Sequence, residues 1–284
     1  MEVEKTLEGY PIRNARIPIL LALRPIRDLL PHEETIPKDL RQLAATLRKD
    51  PVLRHPIIAD KETGLVLDGT HRLAALSRLG CVHSPCALVS YKNPKIKVER
   101  WFRAVKGTAL ANFIPKVEAM KPREVDSSTV EERLDKRSCY ASLEDESCCY
   151  VFSSAAKDSL ALARKAFEIE KTARRNRLQI TYGDEKIVPR AASNSFLFST
   201  VRMEKGEILR LANHHGLLPP KTTRHIIPSR PLGIDVPLSV LKVRSLRKAQ
   251  QMFVDHLGSK KINRVAPGCW VGSRRYQEEV FVFE

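Results

Sequence analysis

The stretch that decides the fold is residues 65–73, which read Leu-Val-Leu-Asp-Gly-Thr-His-Arg-Leu. An apolar run ends at Asp68, Gly69 follows, and leucines then recur at helical spacing until Gly80. This order predicts a strand, a tight glycine turn and a helix that ends at Gly80. The first backbone N–H groups of a helix bind phosphate well. The sequence therefore predicts a phosphate-binding turn at residues 68–72.

The side chains of this turn suit an anionic ligand. Thr70 is expected to cap the helix, while His71 and Arg72 are expected to project toward a phosphate, Arg72 with a fork of donors. Gly69 lets the backbone approach a ligand closely, and Asp68 offers a hard oxygen to a magnesium ion that bridges phosphates. The alternative is an ordinary capped helix after a turn, and the residues alone leave it open.

The rest of the chain alternates short apolar runs with helical patterns, which is typical of a mixed α/β protein. Predicted strands cover residues 17–25, 56–59, 65–67, 85–91, 149–153 and 279–284. The pattern of residues 97–105 fits either a helix or a strand and favours a strand. Predicted helices begin at Pro37 and cover residues 70–79, 155–175, 203–215 and 246–257, and residues 217–231 are expected to be a proline-rich polar loop. A polar excursion over residues 114–147 predicts two domains, 1–113 and 114–284.

Composition excludes several classes of protein. The 284 residues are 43% hydrophobic and 29% charged, which is ordinary for a globular protein and excludes disorder, collagen and a coiled-coil rod. No apolar run reaches the roughly 18 residues of a membrane span, and the first residues lack the apolar stretch of a signal peptide. We therefore expect a cytoplasmic protein without membrane contacts.

The net charge of +16 predicts anionic ligands. The excess is spread along the chain, and its densest cluster, residues 171–177, reads as a solvated helix face. Nucleotide phosphates fit such a field. Nucleic acid is expected to bind only weakly and without sequence preference.

Asp68-Gly-Thr-His-Arg after an apolar strand resembles the signature of the ParB/sulfiredoxin-like nucleotide-binding fold. The wider pattern resembles the free-serine kinases, which phosphorylate L-serine to O-phospho-L-serine. The matching segments run in the same order along nearly the whole chain: Leu-Pro-His-Glu-Glu-Thr at 30–35, the 68–72 motif, Trp101, Thr-Arg-His at 223–225 and Val-Pro-Leu at 236–238.

The resemblance implies an N-terminal ParB/sulfiredoxin-like nucleotide domain, a second α/β domain and an active site in the cleft between them. It places the catalytic glutamate on Glu33, with the adjacent Glu34 as the alternative, and phosphate and magnesium on residues 68–72, with Asp68 as metal ligand. ADP or ATP would be the phosphoryl donor, and a role in cysteine synthesis would follow from the product. Substrate recognition is expected from His32, Trp101, Thr223 and His225; Arg224 and Arg230 are added on charge and position.

The residues themselves are compatible with this chemistry. Phosphoryl transfer needs positioning, charge neutralisation and a base for the attacking hydroxyl, and Glu33 could be that base. Without the resemblance, Glu33 would read as a solvated loop acid and Trp101 as a core residue. The alternative function is a ParB-like nucleotide- and DNA-binding regulator. A sulfiredoxin-like reductase would need a cysteine where Thr70 stands.

Overall fold

The computed structural model describes residues 8–156, 158–190, 193–272 and 274–284. They form two compact units that are interleaved in the sequence. Unit 1 contains residues up to Lys97, Ala212–Gly216 and His225–Glu284, and unit 2 contains Val98–Leu211 and Leu217–Arg224. The sequence-based division at residue 113 assigns residues 225–284 to the second domain; as a statement about separate domains it stays a prediction.

The helices are short to medium in length. Over the described ranges, none is long and apolar enough to cross a bilayer. Segments of 3₁₀ helix at Ile26–Asp28, Ile114–Met120 and Ser127–Thr129 accompany them. The α-helices are α1 Pro37–Lys49, α2 Thr70–Arg78, α3 Leu110–Phe113, α4 Val130–Asp135, α5 Ser159–Arg175, α6 Lys205–Asn213, α7 Leu238–Leu241 and α8 Leu246–Gly258.

The strands are mostly of two to six residues. They are β1 Tyr10–Pro11, β2 Leu20–Pro25, β3 Val52–Leu53, β4 Ile57–Asp60, β5 Val66–Asp68, β6 His83–Val89, β7 Lys97–Glu99, β8 Phe102–Lys106, β9 Arg123–Glu124, β10 Ala141–Glu144, β11 Cys149–Phe152, β12 Gln179–Gly183, β13 Ser195–Thr200, β14 Arg224–Ile226, β15 Ser229–Leu232, β16 Val236–Pro237, β17 Ile262–Val265, β18 Trp270–Val271, β19 Arg274–Arg275 and β20 Glu279–Phe283.

A five-stranded mixed sheet forms the centre of unit 1, in the order β1-β2-β6-β4-β5. β4 and β6 run parallel, and the other neighbours are antiparallel. Every residue of β6 is buried. Side chains alternate between the two faces of a strand, and on one face Cys86 and Leu88 pack with Leu73 of α2. This packing fixes α2 against the sheet and so fixes the turn that precedes it.

Unit 2 is built on an antiparallel sheet in the order β12-β8-β13-β10-β11-β9. α5 covers it with Leu162, Ala166 and Ile169, which recur at helical spacing and lie in one apolar core. The helix was predicted to begin at residue 155. It begins at Ser159 because the side chain of Asp158 accepts the N–H of Ala161 and caps the first turn.

The expectation of a polar loop over residues 217–231 is wrong in its second half. Arg224–Ile226 and Ser229–Leu232 are strands, and β15 pairs in parallel with β20. Local composition suggested a loop because four prolines lie in this segment. β15 is an edge strand of the three-stranded sheet β15-β20-β17. Proline is tolerated on an edge strand, because one side of that strand has no hydrogen-bonded neighbour.

Candidate active site

The predicted strand, turn and helix around the glycine motif are confirmed. β5 ends at Asp68 and α2 begins at Thr70. Gly69 between them has φ +107°, and a Cβ there would lie 3.0 Å from the guanidinium of Arg72 and 3.1 Å from Ile57. The expectation that Thr70 caps the helix is wrong: Gly69 is the N-cap, Thr70 is the first helical residue, and the N-cap makes no side-chain hydrogen bond to the helix. The first N–H groups of a helix have no acceptor within the helix, and such groups can donate to an anionic ligand.

A cluster of charged side chains surrounds this turn. The Oδ2 atom of Asp68 accepts from Nη1 of Arg230 and lies 3.2 Å from Nη2 of Arg72. Arg72 also donates from Nη1 to the Pro56 carbonyl at 2.7 Å, and Arg230 donates from Nε to Glu278 at 2.9 Å. Burial would lower the pKa of Arg230, but the two carboxylates outweigh this effect and raise it. The guanidinium groups are thus held in place and charged.

Two histidines flank the charged cluster. The ring of His71 accepts the backbone N–H of Ile36 at Nε2, 2.9 Å away, which ties α2 to the start of α1. His55 accepts the N–H of Gly233 at Nδ1 and lines a cavity of about 170 Å³ together with Asp68 and the two arginines. Burial, aided by the positive charge of Arg72, lowers the pKa of His55. His55 is therefore neutral at pH 7.

The segment that carries Glu33 lies along β5. The carbonyl of Leu30 accepts the N–H of Val66, and Nδ1 of His32 lies 2.7 Å from the Val66 carbonyl. A carbonyl only accepts, so Nδ1 carries the proton, and Nε2 of a neutral ring is an acceptor. Nε2 lies 3.9 Å from Oε1 of Glu33, whose side chain is 14% exposed. Burial outweighs the attraction to Glu33 and lowers the pKa of His32.

His225 continues this polar group inside unit 1. Its ring meets that of His32 edge to face, with centroids 5.2 Å apart. Its Nε2 atom lies 2.9 Å from the hydroxyl of Tyr91, whose backbone N–H donates to Asp60. Tyr91 was not predicted as a site residue, and no local pattern marks it, because the contact joins residues 134 positions apart.

Unit 2 brings the other predicted recognition residues together. The indole N–H of Trp101 donates to the Thr223 carbonyl at 2.9 Å. The guanidinium of Arg224 lies 5.5 Å from the centre of the Trp101 ring and donates to Asp184 at 2.9 Å. The ammonium of Lys221 lies 5.1 Å from the same ring. Cations over an aromatic face attract it, so these contacts hold the indole in place.

Comparisons with known proteins bear on this geometry. No family model matches the chain. An ATP-dependent L-serine kinase from Staphylothermus marinus is 28% identical over 248 residues, which cover 82% of this chain and 94% of the relative. An ADP-dependent L-serine kinase from Thermococcus kodakarensis is 24% identical over 74% of this chain and 88% of its own. These relatives bear out the predicted resemblance to the free L-serine kinase family.

Solved structures show the same fold. A free serine kinase, with a glutamate replaced by alanine and ADP bound, has a TM-score of 0.66 at 22% identity over 80% of this chain and 98% of its own. A ParB-like protein from Sulfolobus acidocaldarius is 34% identical over only 79 residues, 28% of this chain and 39% of its own. The predicted family and the mixed α/β fold class are therefore confirmed.

The structure divides the sequence-predicted site residues between its two units. Unit 1 holds the two groups attached to β5, with their roles still predictions: Glu33 and His32 with His225, and Asp68, Gly69, Thr70, His71 and Arg72 with Arg230. Unit 2 holds Trp101, Thr223 and Arg224. The chain passes from unit 2 to unit 1 between Arg224 and His225.

Proposed function

We propose that this protein is an L-serine kinase that transfers the terminal phosphoryl group of ADP or ATP to the hydroxyl of free L-serine. One observation carries the proposal: the segment with Glu33 and the phosphate turn are both fastened to strand β5. A carboxylate that takes a hydroxyl proton and a turn that binds phosphates are the two parts that phosphoryl transfer requires.

The nucleotide phosphates are proposed to bind at the turn. The backbone N–H groups of Gly69, Thr70 and His71 are at or before the first turn of α2, where the helix dipole favours anions. Arg72 and Arg230 supply fixed positive charge beside them. Both guanidinium groups also contact Asp68. A bound phosphate would therefore compete with the Asp68 carboxylate for two arginines that are already in position.

Glu33 is proposed as the general base. The serine hydroxyl is a weak nucleophile at neutral pH, and a positioned carboxylate accepts its proton as the bond to phosphorus forms. His32 is proposed to hold the substrate beside Glu33. Its protonated Nδ1 is bound to the Val66 carbonyl, so a neutral ring presents Nε2 as an acceptor on the side of Glu33.

Serine is proposed to be recognised by Trp101, Thr223, Arg224 and His225. Free serine carries both a carboxylate and an ammonium, and each needs a polar partner when water is removed. Arg224 offers a planar fork that matches a carboxylate, and the Thr223 hydroxyl and the His225 imidazole offer further hydrogen bonds.

Magnesium is proposed as the cofactor, with Asp68 as its protein ligand. Magnesium in kinases takes one or two carboxylates and otherwise phosphates and water, so a single hard carboxylate at the phosphate turn fits. Within the described residues, no group of three potential ligands forms a protein cage. When bound, the ion would neutralise charge on the transferred phosphoryl group.

The direct test is to incubate the protein with L-serine, Mg²⁺ and either ADP or ATP, and to detect O-phospho-L-serine by ³¹P NMR. The expected result is phosphoserine with at least one donor, together with AMP from ADP or ADP from ATP. Reactions without serine or without Mg²⁺ are the controls. No phosphoserine with either donor, from a protein that binds nucleotide, would overturn the proposal.

A ParB-like nucleotide- and DNA-binding regulator is the second candidate, and the net charge of +16 favours it. Tight, sequence-selective DNA binding in the absence of serine phosphorylation would support this candidate over the kinase.

A further inference from the structure

Arg103 is a buried arginine of β8 with three acceptors in three directions. The residue is only 4% exposed. Its Nε donates to Oε2 of Glu170 at 2.8 Å, Nη1 donates to the Trp101 carbonyl at 3.0 Å, and Nη2 donates to the Lys221 carbonyl at 2.9 Å. One planar group therefore joins α5, the residue Trp101 and the segment that carries Thr223.

The sheet register explains why Arg103 holds this orientation. Arg103 lies directly opposite Tyr182 on β12 and opposite Phe198 on β13. Residues that are directly opposite share a face of the sheet, and the guanidinium lies 5.6 Å from the Tyr182 ring centre and 5.0 Å from that of Phe198. The two rings flank the cation and restrict its rotation.

Glu170 anchors the far side of the guanidinium. This residue is 2% exposed, and its Oε1 atom accepts from the Tyr182 hydroxyl at 2.6 Å and from Arg174 at 2.8 Å. Burial would raise the pKa of Glu170, but the charge of Arg103 and these hydrogen bonds outweigh burial and lower it. The carboxylate is thus ionised, and both of its oxygens are satisfied.

Side chains supply several of the hydrogen bonds that the carbonyls of segment 217–224 accept. Pro219 and Pro220 have no N–H groups, so this part of the segment cannot join a sheet through donors of its own. Its carbonyls are met instead by side chains: Arg164 donates to Leu217, Arg103 to Lys221 and the Trp101 indole to Thr223. Arg103 therefore holds both ends of the contact between Trp101 and this segment.

We propose that Arg103 is a positioning residue for serine recognition, which fixes Trp101 and residues 221–224 in one arrangement. This inference rests on the proposed function, because Trp101, Thr223 and Arg224 are the proposed serine-binding residues of unit 2. Arg103 acts through them. Its loss should impair serine binding and leave nucleotide binding, which the unit 1 turn provides, unchanged.

The kinetic test compares Arg103→Lys and Arg103→Met with the control Arg174→Met. Lysine restores the charge but not the fork, so both Arg103 variants should raise the serine KM roughly tenfold or more while the nucleotide KM stays within about twofold. Arg174 also binds Glu170 but contacts neither the Trp101 nor the Lys221 carbonyl, so its variant should keep the wild-type serine KM. A wild-type serine KM in Arg103→Lys would overturn the proposal.

A second variant separates positioning from folding. Arg103→Met leaves Glu170 buried without one of the two arginines that bind it, which alone could destabilise the protein. The double variant Arg103→Met/Glu170→Met removes the carboxylate as well and should unfold at a higher temperature than the single variant. If its serine KM remains raised, the positioning role is supported; if the serine KM returns to the wild-type value, the effect was one of stability and the proposal fails.

A fluorescence readout is independent of catalysis. The chain has two tryptophans, and Trp270 is 67% exposed, so Trp270→Phe leaves Trp101 as the reporter. In this background Arg103→Met should increase acrylamide quenching of Trp101, whereas Arg174→Met should not, and unchanged quenching would overturn the proposal. If the wild-type protein makes no phosphoserine, the proposed function is refuted, but the quenching measurement remains valid. If the wild type is active and the Arg103 variants keep the wild-type serine KM and quenching, only the inference about Arg103 is refuted.

Discussion

At the scale of single residues, the surroundings of Glu33 distinguish it from an ordinary surface acid. Its side chain is 14% exposed, and its Oε1 atom lies 3.9 Å from Nε2 of His32, whose pKa is lowered by burial.

Glu33→Gln is expected to lower kcat by about 10²–10⁴-fold, because the amide keeps the size and one hydrogen bond but cannot accept the proton. Serine and nucleotide KM should change little. Glu34→Gln is the matched control and should remain active. If only the Glu34 variant loses activity, the base is Glu34; if both variants keep wild-type kcat, the carboxylate-base mechanism is refuted.

At the scale of elements, the turn between β5 and α2 leaves little room for an added methyl group. Gly69 occupies a left-handed conformation, and a Cβ built on it would lie 3.0 Å from Arg72, while Gly80, at the other end of α2, is also left-handed but has no atom within 4 Å of a built Cβ. A substitution at either glycine must therefore adopt the same left-handed backbone, but only a side chain at Gly69 would also meet neighbouring atoms.

Gly80→Ala is expected to cost about 1–2 kcal/mol of folding free energy, since an alanine must adopt a left-handed conformation. Gly69→Ala should cost more and should also weaken nucleotide binding at least tenfold, because its methyl group displaces the guanidinium of Arg72 from Asp68 and Pro56. Urea unfolding and calorimetric titration with ADP measure the two effects. Equal nucleotide affinity in both variants would contradict the role given to Arg72.

The carboxylate of Glu207 links residues from three helical regions of unit 2. Glu207, in the first turn of α6, accepts from Ser159 at the start of α5 and from Arg137 just after α4. Burial would raise the pKa of Glu207, but these hydrogen bonds outweigh burial and lower the pKa to about 2. A pKa below that of the unfolded chain means that Glu207 stabilises the fold above about pH 5 and ceases to do so as the pH falls toward 2.

Glu207→Gln is accordingly expected to be less stable than the wild type by up to about 3 kcal/mol at pH 7, and the difference should shrink between pH 5 and pH 2. Urea unfolding at a series of pH values measures it. Other carboxylates titrate in the same range, so the informative quantity is the difference between the two proteins. A difference that does not vary with pH would show that the pKa of Glu207 is not lowered by folding.

The helices, strands and turns also show which features of the structure could be predicted from the sequence. The turn at residues 68–72 and the helix that begins at Pro37 were predictable, because glycine permits turn conformations that strain other residues and proline fixes a φ angle that suits the first turn of a helix. The N-cap was misassigned to Thr70, since no local rule reveals that Gly69 takes the left-handed conformation. The grouping of Arg103 with the Lys221 carbonyl joins residues 118 positions apart, and neither periodicity nor composition carries information on such a pair.

At the scale of the whole molecule, the net charge of +16 is the dominant long-range property. Many of its cations are locally paired, as in the group formed by Arg103, Arg174 and Glu170. A diffuse excess of this kind attracts any polyanion without selecting a sequence.

Duplex DNA is therefore expected to bind weakly at about 0.15 M salt, with an affinity that falls steeply between about 0.05 and 0.2 M. Fluorescence anisotropy with two unrelated labelled duplexes measures the affinity and the selectivity. Equal affinities and a steep salt slope are expected. A duplex that is bound tightly and selectively at 0.15 M salt would contradict the assignment of the charge to non-specific attraction.

The interleaving of the two units has a consequence for the order in which the protein matures. Arg230, which completes the charged cluster at the phosphate turn, follows its partner Asp68 by 162 positions. A ribosome that adds about 5–20 residues per second needs roughly 8–30 s to deliver it, and nearly all of unit 2 emerges in that interval. On the nascent chain, the turn is thus made early with one arginine, and its second arginine arrives only after the unit 2 residues proposed to recognise serine have been synthesised.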